Sequence, residues 1–332
     1  MKKWMKLGMA AALASAALLY GGCGNGGQGG KQQLPPTDKP IIAVVQIVQH
    51  GSLDQANQGF VEGLKKRGYD ENKVYFDQQN AQGDQSNLKT IVSRFKAEKP
   101  KLICAIATPA AQAAANEIKD IPIVGTAITD YTTAKLVKND EHPGGNVTGV
   151  SDLASIDAQM DLGRALIPNA KTVGLIYCSS EVNSEVQANM MKEYCKKNKL
   201  SVEERTVNNV NDIQQVAESL VGKVDFIYVP TDNTLASAIP TLMKITDANK
   251  IPVIVGADIM AKDGALAALS VDYYKLGLQT GEMAADILDG KIKPETAPIQ
   301  HQKEYTIVIN KKDAEILGIK IPDEIAKKAQ MV

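Results

Sequence analysis

The sequence predicts an α/β protein built from two related lobes, each with a parallel sheet at its centre. From residue 41 onward, short apolar runs alternate with amphipathic segments, which is typical of parallel strands joined by helices. The apolar runs are almost continuous, as expected for sheets that are covered on both faces. The alternation also starts again after residues 146–152. These observations favour two units of the same kind.

The first 40 residues are expected to lie outside both lobes. Three lysines precede an apolar run at residues 7–20, and two glycines and Cys23 follow it. This is the pattern of an export signal, and the run is shorter than the roughly 20 residues that cross a bilayer. We therefore predict a signal peptide at 1–22. Residues 23–40 contain few large apolar side chains, which predicts a flexible tether.

The first series of elements covers residues 41–127. Strands are predicted at 41–48, 73–76, 102–107 and 121–127, and helices at 54–67, 84–98 and 109–118. The helix predictions depend on spacing. Between Leu88 and Phe95, apolar residues recur at i, i+3, i+4 and i+7, and Asp84 is placed to cap the helix.

The second series repeats the plan of the first. Strands are predicted at 172–178, 200–207, 224–230 and 251–257, and helices at 183–197, 211–221 and 233–247. Both series contain a buried strand, a threonine-containing turn, an alanine-bearing helix and an Ile-Pro strand in the same order. A strand at 264–270, a helix from Asp272 to about residue 288 and a strand at 305–310 follow. This tail indicates lobes that exchange segments.

Composition argues against several classes of function. Lysine and arginine total 37 against 38 acidic residues, and no basic run is present, which argues against nucleic-acid binding. Beyond Cys23, the odd count of Cys104, Cys178 and Cys195 argues against a disulfide framework. We expect these three to be free and mostly buried thiols.

Evidence for catalysis is thin. The three histidines are scattered and have no metal-ligand spacing, and no phosphate-binding or nucleophile motif follows a strand. His50, Ser52 and Asp54 lie close together in sequence, but residues so close more often form a turn and a helix cap than a catalytic triad. We therefore predict no catalytic residue, no metal and no cofactor.

The turns after the strands are the places where a ligand is expected. At Thr108 a strand passes directly into a helix that carries no charge until Glu117. The free N–H groups of such a first turn suit a carboxylate, and the small side chain of Ala110 permits close approach. Alternatively, Thr108 is only a helix cap.

The second series places acidic side chains at equivalent positions. Thr231 and Asp232 follow one strand, and Asp130 and Asp258 follow the two Ile-Pro strands. A cleft with helix amides on one wall and carboxylates on the other would hold a zwitterion. Each aspartate could also be a helix N-cap, and both interpretations remain open.

Six blocks of sequence resemble a known family. They are HGSLDQANQGFVEGL, QNAQGDQSNLKTI, AIATPAAQAAA, VTGVSD, YVPTDNTLASA and GALAALSVDYYKLGLQTGEMA. They are similar to the solute-binding lipoproteins of ABC importers of the tryptophan/tyrosine type. The resemblance implies the type I periplasmic binding protein fold, with two Rossmann-like lobes and three crossing strands near Gly149, Ser270 and residue 303. It implies a first lobe of 41–149 plus 271–303 and a second lobe of 150–270 plus 304–332.

The resemblance also implies a function and a set of contacts. Ligand contacts are placed at Ser52, Thr108, Ala110, Asp130, Asn183, Thr231, Asp232 and Asp258, with Tyr131 and Tyr228 as possible aromatic contacts. Core packing is the favoured role for Tyr228, which lies inside a strand.

A protein of this kind would be lipid-anchored through Cys23 outside the cytoplasmic membrane, with cleavage by the ordinary secretory route as the alternative. It would capture an amino acid by lobe closure, without chemistry, for a permease and its ATPase. A sensor of the same fold, or a binder of nucleosides or other solutes, remains an alternative.

Overall fold

Two largely parallel sheets organise residues 38–332, the part of the chain that the computed structural model describes. Strands and helices are numbered in chain order. The first sheet contains β1 (Ile41–Gln46), β2 (Tyr75–Asn80), β3 (Leu102–Ile106), β4 (Ile123–Ile128), β5 (Val147–Ser151) and the short β11 (Gln300–His301). Its strand order is β11-β5-β4-β3-β1-β2, and all its pairs are parallel. The predicted signal peptide and Cys23 lie outside the described residues.

The second sheet has the same character with one exception. It contains β6 (Thr172–Cys178), β7 (Ser201–Val207), β8 (Phe226–Val229), β9 (Val253–Val255), β10 (Ala267–Ser270), β12 (Thr306–Ile309) and β13 (Gln330–Met331). The order is β13-β12-β10-β9-β8-β6-β7, and β12 runs antiparallel to β10. The prediction of two Rossmann-like lobes with parallel sheets is confirmed.

Helices connect the strands of each sheet. Those that follow first-sheet strands are α1 (Gly51–Lys66), α2 (Gln85–Glu98) and α3 (Thr108–Glu117). Those of the second lobe are α4 (Ile156–Leu166), α5 (Val182–Lys197), α6 (Ile213–Glu218), α7 (Asn233–Ala236), α8 (Ile239–Ala248), α9 (Asp258–Lys262), α11 (Lys311–Leu317) and α12 (Asp323–Ala326). None of the helices described within residues 38–332 is long and apolar enough to cross a membrane.

The long helix α10 (Tyr273–Leu288) follows a second-sheet strand but packs on the first sheet. It lies against α1 through glycines. A Cβ added at Gly59 of α1 would lie 2.1 Å from the Tyr274 carbonyl oxygen, and one added at Gly277 of α10 would lie 2.0 Å from that of Ala56. The two backbones are therefore in direct contact, and neither glycine has room for a side chain.

The chain passes between the sheets three times. It leaves the first sheet after β5, returns after β10 through α10, and leaves again between β11 and β12. Residues 152–155, 271–272 and 302–305 make these three connections. The predicted domain boundaries fall near them and stay a prediction.

Some predicted elements differ from the observed ones. The predicted helix 233–247 is two helices, because the chain turns at residues 237–238 and Pro240 stands in the first turn of α8, where proline begins a helix more readily than it continues one. The predicted helix 211–221 is a 3₁₀ turn, Val210–Asp212, followed by the short α6. Strand β5 contains Gly149, near which the resemblance implied a crossing strand, whereas helices α4 and α9 lie where no element was predicted.

The three cysteines within the described residues are free and buried, as predicted. Burial raises the pKa of the Cys104 and Cys195 thiols. Both therefore stay protonated at neutral pH and behave as small apolar side chains.

Candidate functional site between the two sheets

The carboxyl ends of strands from both sheets border one small cavity of about 20 Å³, part of it open to solvent. This is the room of about one water molecule, well below the volume of an open small-molecule site. Its lining residues are His50, Leu53, Ala127, Thr129, Asp152, Asn183, Thr231, Asp232, Asn233, Ala236, Ala257, Met260 and Tyr273. Of the predicted contacts, Asn183, Thr231 and Asp232 line this cavity.

The first-sheet side has buried hydroxyls without partners. Ser52 in the first turn of α1, Thr108 at the start of α3 and Thr126 in β4 each bury a hydroxyl oxygen that makes no hydrogen bond. We call these three residues the hydroxyl edge. They follow or belong to the neighbouring strands β1, β3 and β4. Ser52 and Thr126 stand next to cavity-lining residues of their own segments, whereas Thr108 precedes Pro109, which lines a second groove. Leaving such a group unpaired costs about 1–3 kcal/mol, which a ligand can recover.

Backbone geometry at the hydroxyl edge is also unusual. Ala107, just before α3, has φ of 80°, and Ala127, at the end of β4, has φ of 55°. Residues with a Cβ seldom adopt positive φ, and such strain is concentrated at binding sites. Ala107 occupies the N-cap position of α3, so the alternative that Thr108 caps this helix is wrong. Ala110, also predicted as a contact, is buried in the first turn of α3.

On the second-sheet side, Asp232 is fully engaged with protein groups. Its Oδ2 accepts hydrogen bonds from the Cys178 backbone N–H at 2.6 Å and the Ser184 hydroxyl at 2.8 Å. Its Oδ1 accepts from the Leu235 N–H at 2.8 Å and so caps α7. Burial and the neighbouring charge of Glu181 raise the pKa of Asp232. The carboxylate therefore ties three turns together.

Glu181, which the sequence analysis did not select, is a second buried carboxylate on this side. It accepts hydrogen bonds from the backbone N–H groups of Asn233 at 3.0 Å and Thr234 at 2.9 Å, and from the Thr234 hydroxyl at 2.8 Å. We call Glu181 and Asp232 the carboxylate pair. Only its position at the end of a strand could have marked Glu181 in the sequence.

Asn183 lines the cavity next to the carboxylate pair. Its Nδ2 donates to the Glu181 carboxylate at 3.1 Å and to the Thr231 carbonyl at 3.0 Å. These bonds orient the amide, and its buried Oδ1 has no partner. Asn183 thus presents an acceptor at a cavity wall.

Asp152 and Tyr273 form a third polar group of the cavity. The Thr129 hydroxyl donates to Asp152 Oδ1 at 3.1 Å, and the Tyr273 hydroxyl donates to Oδ2 at 3.0 Å. Burial raises the pKa of Asp152 to about 6. The sequence analysis missed both residues, although the blocks VTGVSD and SVDYY contain them. Asp152 is the acidic residue of the first block, which is the signal that could have found it.

Seven predicted residues do not line the cavity: Ser52, Thr108 and Ala110, described above, and four others that have protein partners. Asp130 accepts a hydrogen bond from the Thr133 N–H at 2.8 Å, and Asp258 lies 2.5 Å from the Lys262 ammonium. Tyr131 donates to the Val150 carbonyl at 3.2 Å, and Tyr228 donates to Gln159 at 2.6 Å. Both tyrosines are buried in hydrophobic cores, which for Tyr228 is the role that was favoured.

The two lobes touch at the cavity. His50 Nε2 lies 3.5 Å from Asn233 Oδ1, while the buried Nδ1 has no partner, and burial lowers the pKa of His50. A Cβ added at Gly51 would lie 2.6 Å from Ile259 Cδ1. Asn233 also lines a second groove of about 300 Å³, where the amide side chains of Gln82, Gln85, Asn208 and Asn209 are found. The contacts of His50 and Gly51 with the second lobe show that the two lobes are closed over the cavity.

A family model described as ABC transporter substrate binding protein matches residues 41–332. The chain belongs to this family. Membership implies that the protein binds a small molecule outside the cytoplasm and presents it to a membrane transporter.

Relatives of this substrate-binding protein include one with a named ligand. The chain is 42% identical to a tyrosine-binding protein of Clostridioides difficile, over 93% of this chain and 90% of that protein. A solved Streptococcus domain in complex with L-Trp is 41% identical, with a TM-score of 0.86 over 89% of this chain and all of that one.

A third relative allows the lobe arrangement to be compared. The ligand-free, open structure of a Clostridium difficile substrate-binding protein with adhesive properties is 42% identical, over 88% of this chain and 99% of that chain, but its TM-score is 0.69. The identities are nearly equal, so sequence divergence does not account for the lower score. The lobes of this substrate-binding protein are arranged more like those of the L-Trp complex.

Proposed function

We propose that this protein binds an aromatic L-amino acid in the cavity between its lobes and delivers it to an ABC permease driven by an ATPase. The observation that carries the proposal is the closed cavity, with unsatisfied polar groups on its walls, in a chain whose fold follows an L-Trp complex. The tyrosine-binding relative supports the same class of ligand. The role is capture and release, without covalent chemistry.

The hydroxyl edge would bind the α-carboxylate. Ser52 and Thr108 stand in the first turns of α1 and α3, where free N–H groups and the helix dipoles favour an anion. Their unpaired hydroxyls would add hydrogen bonds, and Ala110 would leave room for the ligand. The proposal explains why polar side chains are buried there without protein partners.

The second wall would bind the rest of the ligand through Asn183 and Thr231. Asn183 Oδ1 is an oriented acceptor. Asp232 would support this wall from behind by fixing the turn that carries Thr231. Asp130 and Asp258, which already have protein partners, would contribute to the field of the cleft rather than through direct contacts.

Closure would follow from contacts on both walls. A ligand that touches both lobes is bound fully only in the closed form, so it selects that form. The lobes would be 41–149 plus 271–303 and 150–270 plus 304–332, moving about the three connections. A lipid on Cys23 would hold the protein at the outer face of the cytoplasmic membrane.

Thermal-shift measurements test the ligand class. L-tyrosine, L-tryptophan and L-phenylalanine are compared with L-leucine, adenosine, uridine and myo-inositol. A ligand at about 100 times its Kd stabilises the folded state by about 2.7 kcal/mol, enough for a rise of several degrees in Tm. We expect this rise with an aromatic L-amino acid, together with a smaller radius of gyration in solution scattering.

Stabilisation by nucleosides or sugars alone would overturn the ligand class. The D-enantiomer of the best amino acid is the matched control, because it has the same side chain and charges but cannot place all three substituents on the same groups. Uptake of the labelled amino acid by cells with and without the protein then tests delivery to a transporter.

A further inference from the structure

We propose that Asp152 binds the α-ammonium group of the ligand and joins ligand binding to the connections between the lobes. The assignment rests on the proposed function and identifies one charge subsite within it. It is argued from the position of Asp152, from its partners and from the state of the other carboxylates near the cavity.

Asp152 lies where two of the three connections meet. It directly follows β5, and its backbone N–H donates to the Ile128 carbonyl of β4 at 3.2 Å. Its Oδ2 accepts from Tyr273, the first residue of α10, which follows the second connection. One carboxylate therefore touches the first connection, the second connection and the cavity.

The Asp152 carboxylate lacks a positive partner. It is only 4% exposed, and both of its side-chain partners are neutral hydroxyls. Within residues 38–332, no lysine, arginine or histidine forms an ion pair with it. A buried carboxylate is unfavourable without a counter-charge, and this cost raises the pKa of Asp152 to about 6. A cationic ligand group supplies the missing charge.

Asp152 also has free acceptor capacity. A carboxylate offers about four lone-pair positions, and the two described hydroxyl donors leave room for an ammonium N–H at each oxygen. Thr129 and Tyr273 hold the group on two sides, so its orientation is fixed before the ligand arrives. An ammonium held there makes charge-assisted hydrogen bonds.

The other carboxylates near the cavity are engaged differently. Asp232 accepts three hydrogen bonds from its own lobe, and Glu181 receives donors from Asn183, Asn233 and Thr234. Asp258 is paired with Lys262. Of the two acidic residues that line the cavity, neither has an ion pair within residues 38–332, but Asp152 accepts two hydrogen bonds where Asp232 accepts three, so Asp152 has more acceptor capacity left for a ligand.

A comparison of two ligands tests the assignment. L-tyrosine and 3-(4-hydroxyphenyl)propionate differ by the ammonium group, and isothermal titration measures both affinities. Removing one partner of a buried charge pair costs enough to lower affinity about 100-fold. We expect wild type to prefer L-tyrosine by about this factor. Asp152→Asn should bind L-tyrosine about 100-fold more weakly and lose most of the preference, whereas Asp152→Glu should retain the preference.

Asp313→Asn is the matched control. Asp313 is also buried, with a pKa raised by burial and by Asp247, but it lies in the second lobe outside the cavity. This variant should keep both affinities of wild type. A preference for L-tyrosine that survives in Asp152→Asn would overturn the assignment while leaving the proposed function in place. If wild type binds no aromatic amino acid, the proposed function fails and this assignment fails with it.

A crystal structure of wild type with L-tyrosine provides the test that needs no variant. The ligand nitrogen should lie about 2.7–3.2 Å from an Asp152 carboxylate oxygen. A nitrogen bound by Asp232 or another acidic residue would overturn the assignment.

Discussion

The strand ends of both sheets carry buried polar side chains near the cavity, but the hydrogen bonding of these side chains differs between the two sheets. The hydroxyl edge, Ser52, Thr108 and Thr126, buries oxygens without partners. The carboxylate pair, Glu181 and Asp232, accepts hydrogen bonds from backbone and side chains of neighbouring turns. The hydroxyl edge has capacity that a ligand can fill, whereas the carboxylate pair is satisfied by groups of its own lobe. Substitutions in the hydroxyl edge should therefore weaken binding, and those in the carboxylate pair should first weaken the fold.

Asp232→Ala should show the largest effect. It leaves the N–H groups of Cys178 and Leu235 and the Ser184 hydroxyl without their acceptor. We expect a loss of about 3 kcal/mol or more in the free energy of unfolding, because several buried donors lose their partner together. Stabilisation by L-tryptophan should also be lost. Urea unfolding and thermal shift measure the two effects.

Asp232→Asn is the control for that experiment, since it retains the shape and one acceptor oxygen. The free energy of unfolding should fall less in Asp232→Asn than in Asp232→Ala. An Asp232→Ala variant that unfolds like wild type but no longer binds would reverse the comparison, because the second wall would then serve the ligand rather than the fold.

The pH dependence of stability should show the next largest effect. The pKa of Asp152 is about 6 in the folded protein, above its ordinary value of 3.8. The folded state thus binds more protons than the unfolded state, and the stability from this group is present below about pH 4 and lost as pH rises through 6. At about 1.36 kcal/mol per pKa unit, the loss is at most about 3 kcal/mol.

Urea unfolding of the ligand-free protein between pH 4.5 and 7.5 measures this dependence. His50 acts in the opposite direction, because burial lowers its pKa. The difference between wild type and Asp152→Asn therefore isolates the carboxylate, and wild type should lose more stability as pH rises. Parallel curves for the two proteins would contradict the prediction.

Thr108→Val and Ser52→Ala should have the smallest effect on the fold and a measurable effect on binding. Each removes a hydroxyl that makes no hydrogen bond in the protein. We expect affinity for the amino acid to fall about 10-fold, equivalent to about 1.4 kcal/mol, with an unchanged or higher free energy of unfolding. Isothermal titration measures the affinity, and urea unfolding measures the free energy of unfolding.

Thr90→Val serves as the control for the hydroxyl variants, since Thr90 is an exposed residue of α2 whose hydroxyl bonds to the Ser86 carbonyl. Its affinity for the amino acid should match that of wild type. If Thr108→Val lowered stability but not affinity, the hydroxyl edge would be part of the scaffold and not of the site.

Much of the fold could be predicted because it depends on local periodicity. Apolar spacing located α2 and α5 to within a residue or two, and Asp272 caps α10 as its position suggested. The break between α7 and α8 was missed because the apolar spacing continues across it while the backbone turns. The apolar pattern did not locate strand β5, because its five residues, although all buried, include polar and glycine positions, and only the family resemblance placed a crossing near Gly149.

The site could be predicted only in part, for a different reason. Strand ends can be read from the sequence, which located Thr108, Asn183 and Asp232 at the correct edges. Hydrogen-bond partners depend on how distant segments meet. Two of the three donors to Asp232 lie 54 and 48 positions away, and Asp152 meets Tyr273 over 121 positions. No local pattern distinguishes a carboxylate with uncompensated charge from one that is already satisfied.

The glycine contact between α1 and α10 restricts how the molecule can open. With carbonyl oxygens in the place of side chains, neither helix can slide or rotate past the other without collision. The segment that re-enters from the second sheet is thus clamped to the first sheet from its first turns onward. At this connection, any rotation of one half against the other can bend only the few residues that precede Tyr273, so backbone crowding some distance from the site restricts one of the three hinge segments.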